Sequence, residues 1–305
     1  MSPQSPKPLA PAAWALTRLI VRVVLLGTFL GPCRPEARAA DDAAPAPGDR
    51  ALIVVGLSGD DEHADVFRKT VMTWRTWLTD SLQFPADGIR VVFGAAGDPS
   101  LDAGPATKQA IALEVETIKR GLAARGRLWV FLLGHGNESG GHGYFHLPGP
   151  DIRDDELANL FKDIRCHEQI FWITNSASGW FLSSLSAKGR IVITATSPDR
   201  EPNETEFPHA LADVARKPRS ELDQDGDGKV SVWELFVATA GATMERFAAL
   251  DRAPTEHCLL DDNGDKLGTE APDPATKPPA QEKNAGNESR DGAVAKTTFL
   301  PIKTE

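Results

Sequence analysis

Two sets of residues in this sequence have the types and spacing to do chemistry. The more complete is the run Asp223-Gln224-Asp225-Gly226-Asp227-Gly228-Lys229-Val230-Ser231-Val232-Trp233-Glu234. Acids recur at alternate positions, a glycine stands at the sixth and an acid closes the twelfth, which is the pattern of an EF-hand-type loop. Asp223, Asp225 and Asp227 supply side-chain oxygens, Gly228 permits the sharp turn, Lys229 offers its carbonyl, Ser231 takes the ninth position and Glu234 can chelate with both oxygens. Hard oxygen donors of this kind suit Ca2+, the one cofactor the sequence implies. Pro218 interrupts the expected entering helix, and Asp261-Asp262-Asn263-Gly264-Asp265 opens like another loop. There Lys266 replaces the turn glycine and Pro272 the closing acid, so a turn or auxiliary site is expected. With no complete partner hand to open a groove, calcium is expected to buttress the fold rather than to switch a sensor.

The second set is split along the chain. Phe131-Leu132-Leu133-Gly134-His135-Gly136 is an apolar run that ends in a histidine between glycines, and Ile170-Phe171-Trp172-Ile173-Thr174-Asn175-Ser176-Ala177-Ser178-Gly179 is another that ends in hydroxyls. A histidine flanked by glycines can approach a substrate, and the bare N–H of Gly136 can point to a developing oxyanion. A serine where a strand passes into a helix presents its hydroxyl at a positive helix end. The pair His135 and Ser176 therefore has the parts for acyl transfer, provided the two strands are neighbours. No Gly-x-Ser-x-Gly elbow surrounds Ser176 or Ser178, which argues against an esterase of the α/β-hydrolase type.

The elements that must position these residues alternate. Short apolar, β-rich runs occur at 52–57, 89–93, 128–133, 170–174 and 191–196, separated by intervals long enough for helices. Phe67, Val71, Trp74 and Leu78 form one apolar stripe at helical spacing, and Ile111, Val115, Ile118 and Leu122 form another. Near-continuous apolar strands imply cover on both faces, so the fold class is α/β, a mostly parallel sheet between helical layers. Such sheets place their chemistry beyond the carboxyl ends of the strands, where His135 and Ser176 fall.

These segments resemble the legumain and caspase group of cysteine peptidases, in which a strand ends in His-Gly and a later one in Ala-Cys-x-Ser-Gly. The stretches 191–207 and 256–265 are similar to later parts of bacterial legumain-like proteins, so the resemblance runs from about Ala51 to Gly268. It implies a caspase-like three-layer sandwich acting on a peptide or protein ligand. By the same resemblance His135 takes the place of the catalytic histidine, Gly136 that of an oxyanion donor and Ser176 that of the nucleophile. Asn175 stands for the preceding alanine, Glu62-His63 for the basic pair of the acid-binding or asparagine-binding pocket, and Asn203 and Glu204 for the pocket edge. The family's thiol is replaced by a hydroxyl. A free thiol has a pKa near about 8.5, whereas a serine needs a base in contact. Legumain-like sites keep the histidine apart from the nucleophile, so a slow or inactive relative is expected.

The chain has 305 residues, with 33 Lys plus Arg against 43 Asp plus Glu and a net charge of −10, which argues against a nucleic-acid partner. Residues 1–39 read as a secretory leader: Lys7, Arg18 and Arg22 precede an apolar run at 23–30, and Ala37-Arg38-Ala39 offers a cleavage site. That run is far shorter than the roughly 20 residues of a spanning helix, so no stable membrane span is expected and the protein should be secreted or periplasmic. The expected organisation is a leader (1–39), a linker (40–50), one domain (51–268) that includes the loop 223–234, and a solvated tail (269–305) rich in Pro, Ala, Lys and Glu.

Overall fold

The computed structural model describes residues 48–199, 201, 203–272 and 291–301; the expected leader lies outside the described residues. The apolar runs become strands β1 (Arg50–Val55), β2 (Ile89–Phe93), β3 (Arg127–Leu133), β7 (Glu168–Ile173) and β8 (Ile191–Thr194), close to their expected positions. Between β3 and β7 lie three short strands, β4 (Gly136–Ser139), β5 (His142–Phe145) and β6 (Ile152–Arg153). Late in the chain come β9 (Leu259–Asp261) and β10 (Thr269–Glu270). The main sheet has the order β10-β9-β8-β7-β3-β1-β2, and β4, β5 and β6 form a separate antiparallel sheet. From β8 to β2 every pairing is parallel, while β9 runs antiparallel to β8 and to β10.

Alternation along each strand divides the core in two. Ile53, Phe131 and Trp172 face α1 (Asp61–Thr76), α5 (Phe207–Val214) and α7 (Val232–Ala249), while Val54, Val130 and Phe171 face α2 (Lys108–Gly121), α3 (Asp154–Phe161) and α4 (Gly179–Leu185). The protein is thus an α/β sandwich of three layers with a mostly parallel centre. The predicted stripes lie where the spacing put them, with Phe67, Val71 and Trp74 on α1 and Ile111, Val115 and Ile118 on α2 all buried. Trp74 and Trp77 belong to the core. Cys166 and Cys258 are both free, the second within one core cluster and the first against the other, so the sheet stands between them.

Two segments differ from the sequence expectation. The glycine-rich stretch after His135 is the β4–β5 hairpin, in which Gly136 pairs with Phe145 and Ser139 with His142. Composition hid it because Gly140 and Gly141, both with positive φ, supply the tight turn. Within the expected tail, residues 291–301 pack on the domain, with Ala295 and Leu300 buried in the core. Two apolar anchors in eleven residues are too few to register as periodicity. No helix among the described residues is long and apolar enough to cross a membrane.

Candidate functional site

Strands β3 and β7 are hydrogen-bonded neighbours with Leu132 opposite Ile173, so the residues that leave them emerge at one rim. The loops touch. A Cβ on Gly136 would stand 2.7 Å from Ser176 O and 2.8 Å from Asn175 Nδ2, so only glycine permits this approach. Thr174 ties the two exits together, with its N–H donating to Leu132 O at 3.0 Å.

Within that rim the histidine and the serine are not joined. His135 Nε2 lies 3.3 Å from Ser58 O, and its ring centre is 5.9 Å from Phe67 and 6.4 Å from His63. The imidazole is thereby turned to the start of α1. Ser176 is 1% exposed, and its Oγ makes no hydrogen bond among the described residues. Ala177, the next residue, has φ 55, a left-handed conformation that is costly for a side chain with a Cβ. Its N–H donates to Glu201 O at 3.2 Å, which brings Glu201 to the turn. Ser178 is committed elsewhere: its Oγ accepts from Thr196 N at 3.0 Å and lies 3.1 Å from Thr196 Oγ1.

The expected pocket residues divide. His63 and Glu204 come together, with His63 Nε2 3.3 Å from Glu204 Oε2 and Nδ1 2.7 Å from Asp60 Oδ1. The Asp60 hydrogen bond, followed by the Glu204 charge, raises the His63 pKa above its ordinary value. Asp60 also accepts His63 N at 2.8 Å as the N-cap of α1, and that bond lowers its own pKa. Glu62 is exposed on the first turn of α1, and Asn203 is exposed beside Glu204. Asn175 is fully buried: Nδ2 donates to Ser176 O at 2.7 Å while Oδ1 has no partner among the described residues, so its amide shapes the loop from below.

Sequence reasoning missed the polar frame behind the rim. Glu201 pairs with His257 Nδ1 and accepts Ser197 N at 3.0 Å, and its hydrogen bond raises the His257 pKa. Glu256, nearly buried, accepts Glu206 N at 2.6 Å and Phe207 N at 3.1 Å at the start of α5, and burial pushes its pKa up to about 8. His209 lies behind Phe67, 2.8 Å from Thr70 Oγ1, and burial brings it down to about 4. The signal was present only as acids and histidines in 201–209 and 256–257, with no local spacing to single them out.

No family model matches this chain, and no curated protein matches it.

The loop 223–234 has the frame its spacing demands. Asp223 accepts Gly226 N at 2.8 Å and Gly228 N at 2.9 Å, Asp225 accepts Asp227 N at 3.1 Å, and Asp227 accepts Lys229 N at 2.8 Å. Carboxylate oxygens of Asp223, Asp225 and Asp227 lie within 4.8 Å of one another. Glu234 returns to the loop entrance, accepting Gln224 N at 2.7 Å, and forms a capping box with Ser231 at the start of α7. The three aspartates are thus placed where they could hold a metal ion, while both Glu234 oxygens accept N–H groups, of Gln224 and Asp225 on one side and Ser231 on the other. The entering helix is a single turn, α6 (Arg219–Leu222), with Pro218 at its N-cap. On α7 Val232, Phe236, Thr243 and Phe247 are buried, and Leu250 lies beyond the helix end, 47% exposed.

Asp261 begins a segment with the same frame. It accepts Gly264 N at 2.9 Å and Lys266 N at 3.2 Å, Asn263 Oδ1 accepts Asp265 N at 2.7 Å, and Asp265 accepts Leu267 N at 2.8 Å. In place of Pro272, Asp291 comes to its entrance, accepting Asp262 N at 3.3 Å and Thr269 Oγ1 at 2.8 Å.

Proposed function

We propose that this chain is an exported, calcium-holding relative of the legumain and caspase group that keeps a peptide-binding rim but no longer hydrolyses peptides efficiently. One observation carries the reading: His135 and Ser176 reach the same rim from adjacent parallel strands, yet His135 engages Ser58 O and shares no hydrogen bond with Ser176. A thiolate at position 176 would need no contact with the histidine, whereas a hydroxyl requires a base within about 3.2 Å to react at neutral pH. The three-layer, mostly parallel architecture is the one that the family resemblance requires.

In this reading an extended peptide lies across the rim, with Gly136 as the backbone donor and the His63 and Glu204 pair as a charged edge. Asp223, Asp225, Asp227, the Lys229 carbonyl, Ser231 and Glu234 hold one calcium ion, which buttresses the start of α7 against the domain. When bound, that ion would supply fixed positive charge that orders the loop oxygens.

The test is a broad peptide library assayed with calcium present. Binding without turnover is expected for the native chain, and cleavage should appear in Ser176→Cys, which restores a readily ionised nucleophile. Turnover by the native chain that vanishes in Ser176→Ala would overturn the proposal in favour of a serine enzyme.

A further inference from the structure

Residues 291–301 are built onto the loop 223–234 by backbone and side chains together. Leu300 donates its N–H to Val230 O at 2.8 Å, Val232 donates to Thr298 O at 2.8 Å, and Ser231 and Phe299 form an antiparallel bridge. The Lys229 ammonium lies 4.9 Å from the Phe299 ring centre, and the Lys296 ammonium lies 4.7 Å from that of Trp233. Gly292, with φ +90, passes so close to Trp233 that a Cβ would come within 2.7 Å of Cζ3. The start of the segment is pinned separately: the buried Asp262 carboxylate accepts Gly292 N at 3.0 Å, Val294 N at 2.8 Å and Ala295 N at 2.7 Å.

The stretch gripped in this way, 229–232, carries the seventh and ninth loop positions and leads directly into Glu234. Two of the six donor positions, Lys229 and Ser231, are therefore held from outside the loop. An isolated hand has no second loop to brace this limb; here 298–300 lie along it through one isolated bridge and two backbone hydrogen bonds.

We propose that residues 291–301 act as a built-in positioning partner of the loop 223–234, so that docking of this segment and calcium occupancy reinforce each other. The inference rests on the calcium reading of the loop. The physical reason is linkage: a limb ordered in advance loses less conformational freedom on binding, and whatever free energy the docked segment adds to calcium affinity, calcium returns to docking.

Calcium titration of the native full-length chain, Phe299→Ala and Gly292→Val tests it. The dissociation constant should rise about tenfold in each variant, within the usual range for coupled sites. Calcium should also slow hydrogen exchange of the Leu300 and Val232 amides in the native chain. A purely structural role would lower the melting temperature of the calcium-free and calcium-loaded forms equally and leave the dissociation constant unchanged. That result would overturn the positioning role alone. Failure of the native chain to take up calcium would overturn the calcium reading and this inference with it. Phe299→Ala keeps the backbone bridge and decides the matter should Gly292→Val fail to fold.

Discussion

The loop 223–234 and the segment that starts at Asp261 share one backbone frame and differ in how it is closed. In each, the first aspartate accepts N–H groups from the fourth and sixth residues, the third residue accepts from the fifth and the fifth from the seventh. The sixth residue has positive φ in both, 82 for Gly228 and 72 for Lys266. In the first loop the acid at the entrance is Glu234, from the first turn of the helix that follows. In the second it is Asp291, delivered by the C-terminal segment. The frame is a local property of alternating short acceptors, whereas closure needs either a contiguous helix or a delivery through tertiary packing.

The contrast is sharpest at the two anchoring acids. Glu234→Gln should weaken calcium uptake about 100-fold or more, since a direct ligand ought to matter at least as much as an outer-shell partner. The fold should also lose about 1–2 kcal/mol, because glutamine keeps one acceptor oxygen while its amide nitrogen faces the donors that the other oxygen served. Asp261→Ala should separate the two effects. Asp261 is 1% exposed and accepts N–H groups from the half-buried Asn263 and Gly264 and the exposed Lys266, so its removal should cost about 1–2 kcal/mol. Calcium affinity at 223–234 should change far less. Calorimetry with denaturant melts reads both quantities, and equal loss of calcium in the two variants would erase the distinction.

The second loop should also carry a pH signature. Burial, opposed by the Thr269 and Asp262 hydrogen bonds and aided by the charges of Asp261 and Asp265, pushes Asp291 from 3.8 up to about 6. A carboxyl whose pKa is raised on folding contributes stability below its unfolded pKa and loses it as pH rises toward the folded value. The native chain in chelator should therefore lose stability between about pH 4 and 6, by about 1 kcal/mol once solvent screening is allowed for. Asp291→Asn should flatten that slope, and urea melts across the window would show a persistent slope if the assignment to Asp291 is wrong.

The smallest effect concerns the sixth position. Lys266→Gly relieves a left-handed lysine but gives the unfolded chain more freedom, so a net gain below about 1 kcal/mol is expected. Gly228→Lys should cost about 1–2 kcal/mol at the equivalent place. Melting of the two variants side by side would break the correspondence if both moved in the same direction.

Much of the fold was legible because its signals are short-range. Five apolar runs gave the core strands, and the stripes through Phe67 and Ile111 gave the two helices that flank them. The β4–β5 hairpin was hidden by the glycines that make its turn, and the docking of 291–301 by having two buried anchors, Ala295 and Leu300. At the rim, His135, Gly136 and Ser176 were recognisable by residue type and position at strand ends. His63 and Glu204 were each named by resemblance alone, but neither their pairing nor that of Glu201 and His257 was foreseen, since the partners are far apart in the chain.

The sequence by itself determined the five core strands, the helix stripes and the frame of the loop 223–234, because alternation, capping and aspartate spacing act between residues a few positions apart. Only the tertiary structure decided that β3 and β7 are neighbours, that the His135 ring engages Ser58 O, and that Asp291 and 298–300 brace the two aspartate loops. Those outcomes depend on which surfaces of distant segments pack together, and no local pattern encodes that choice.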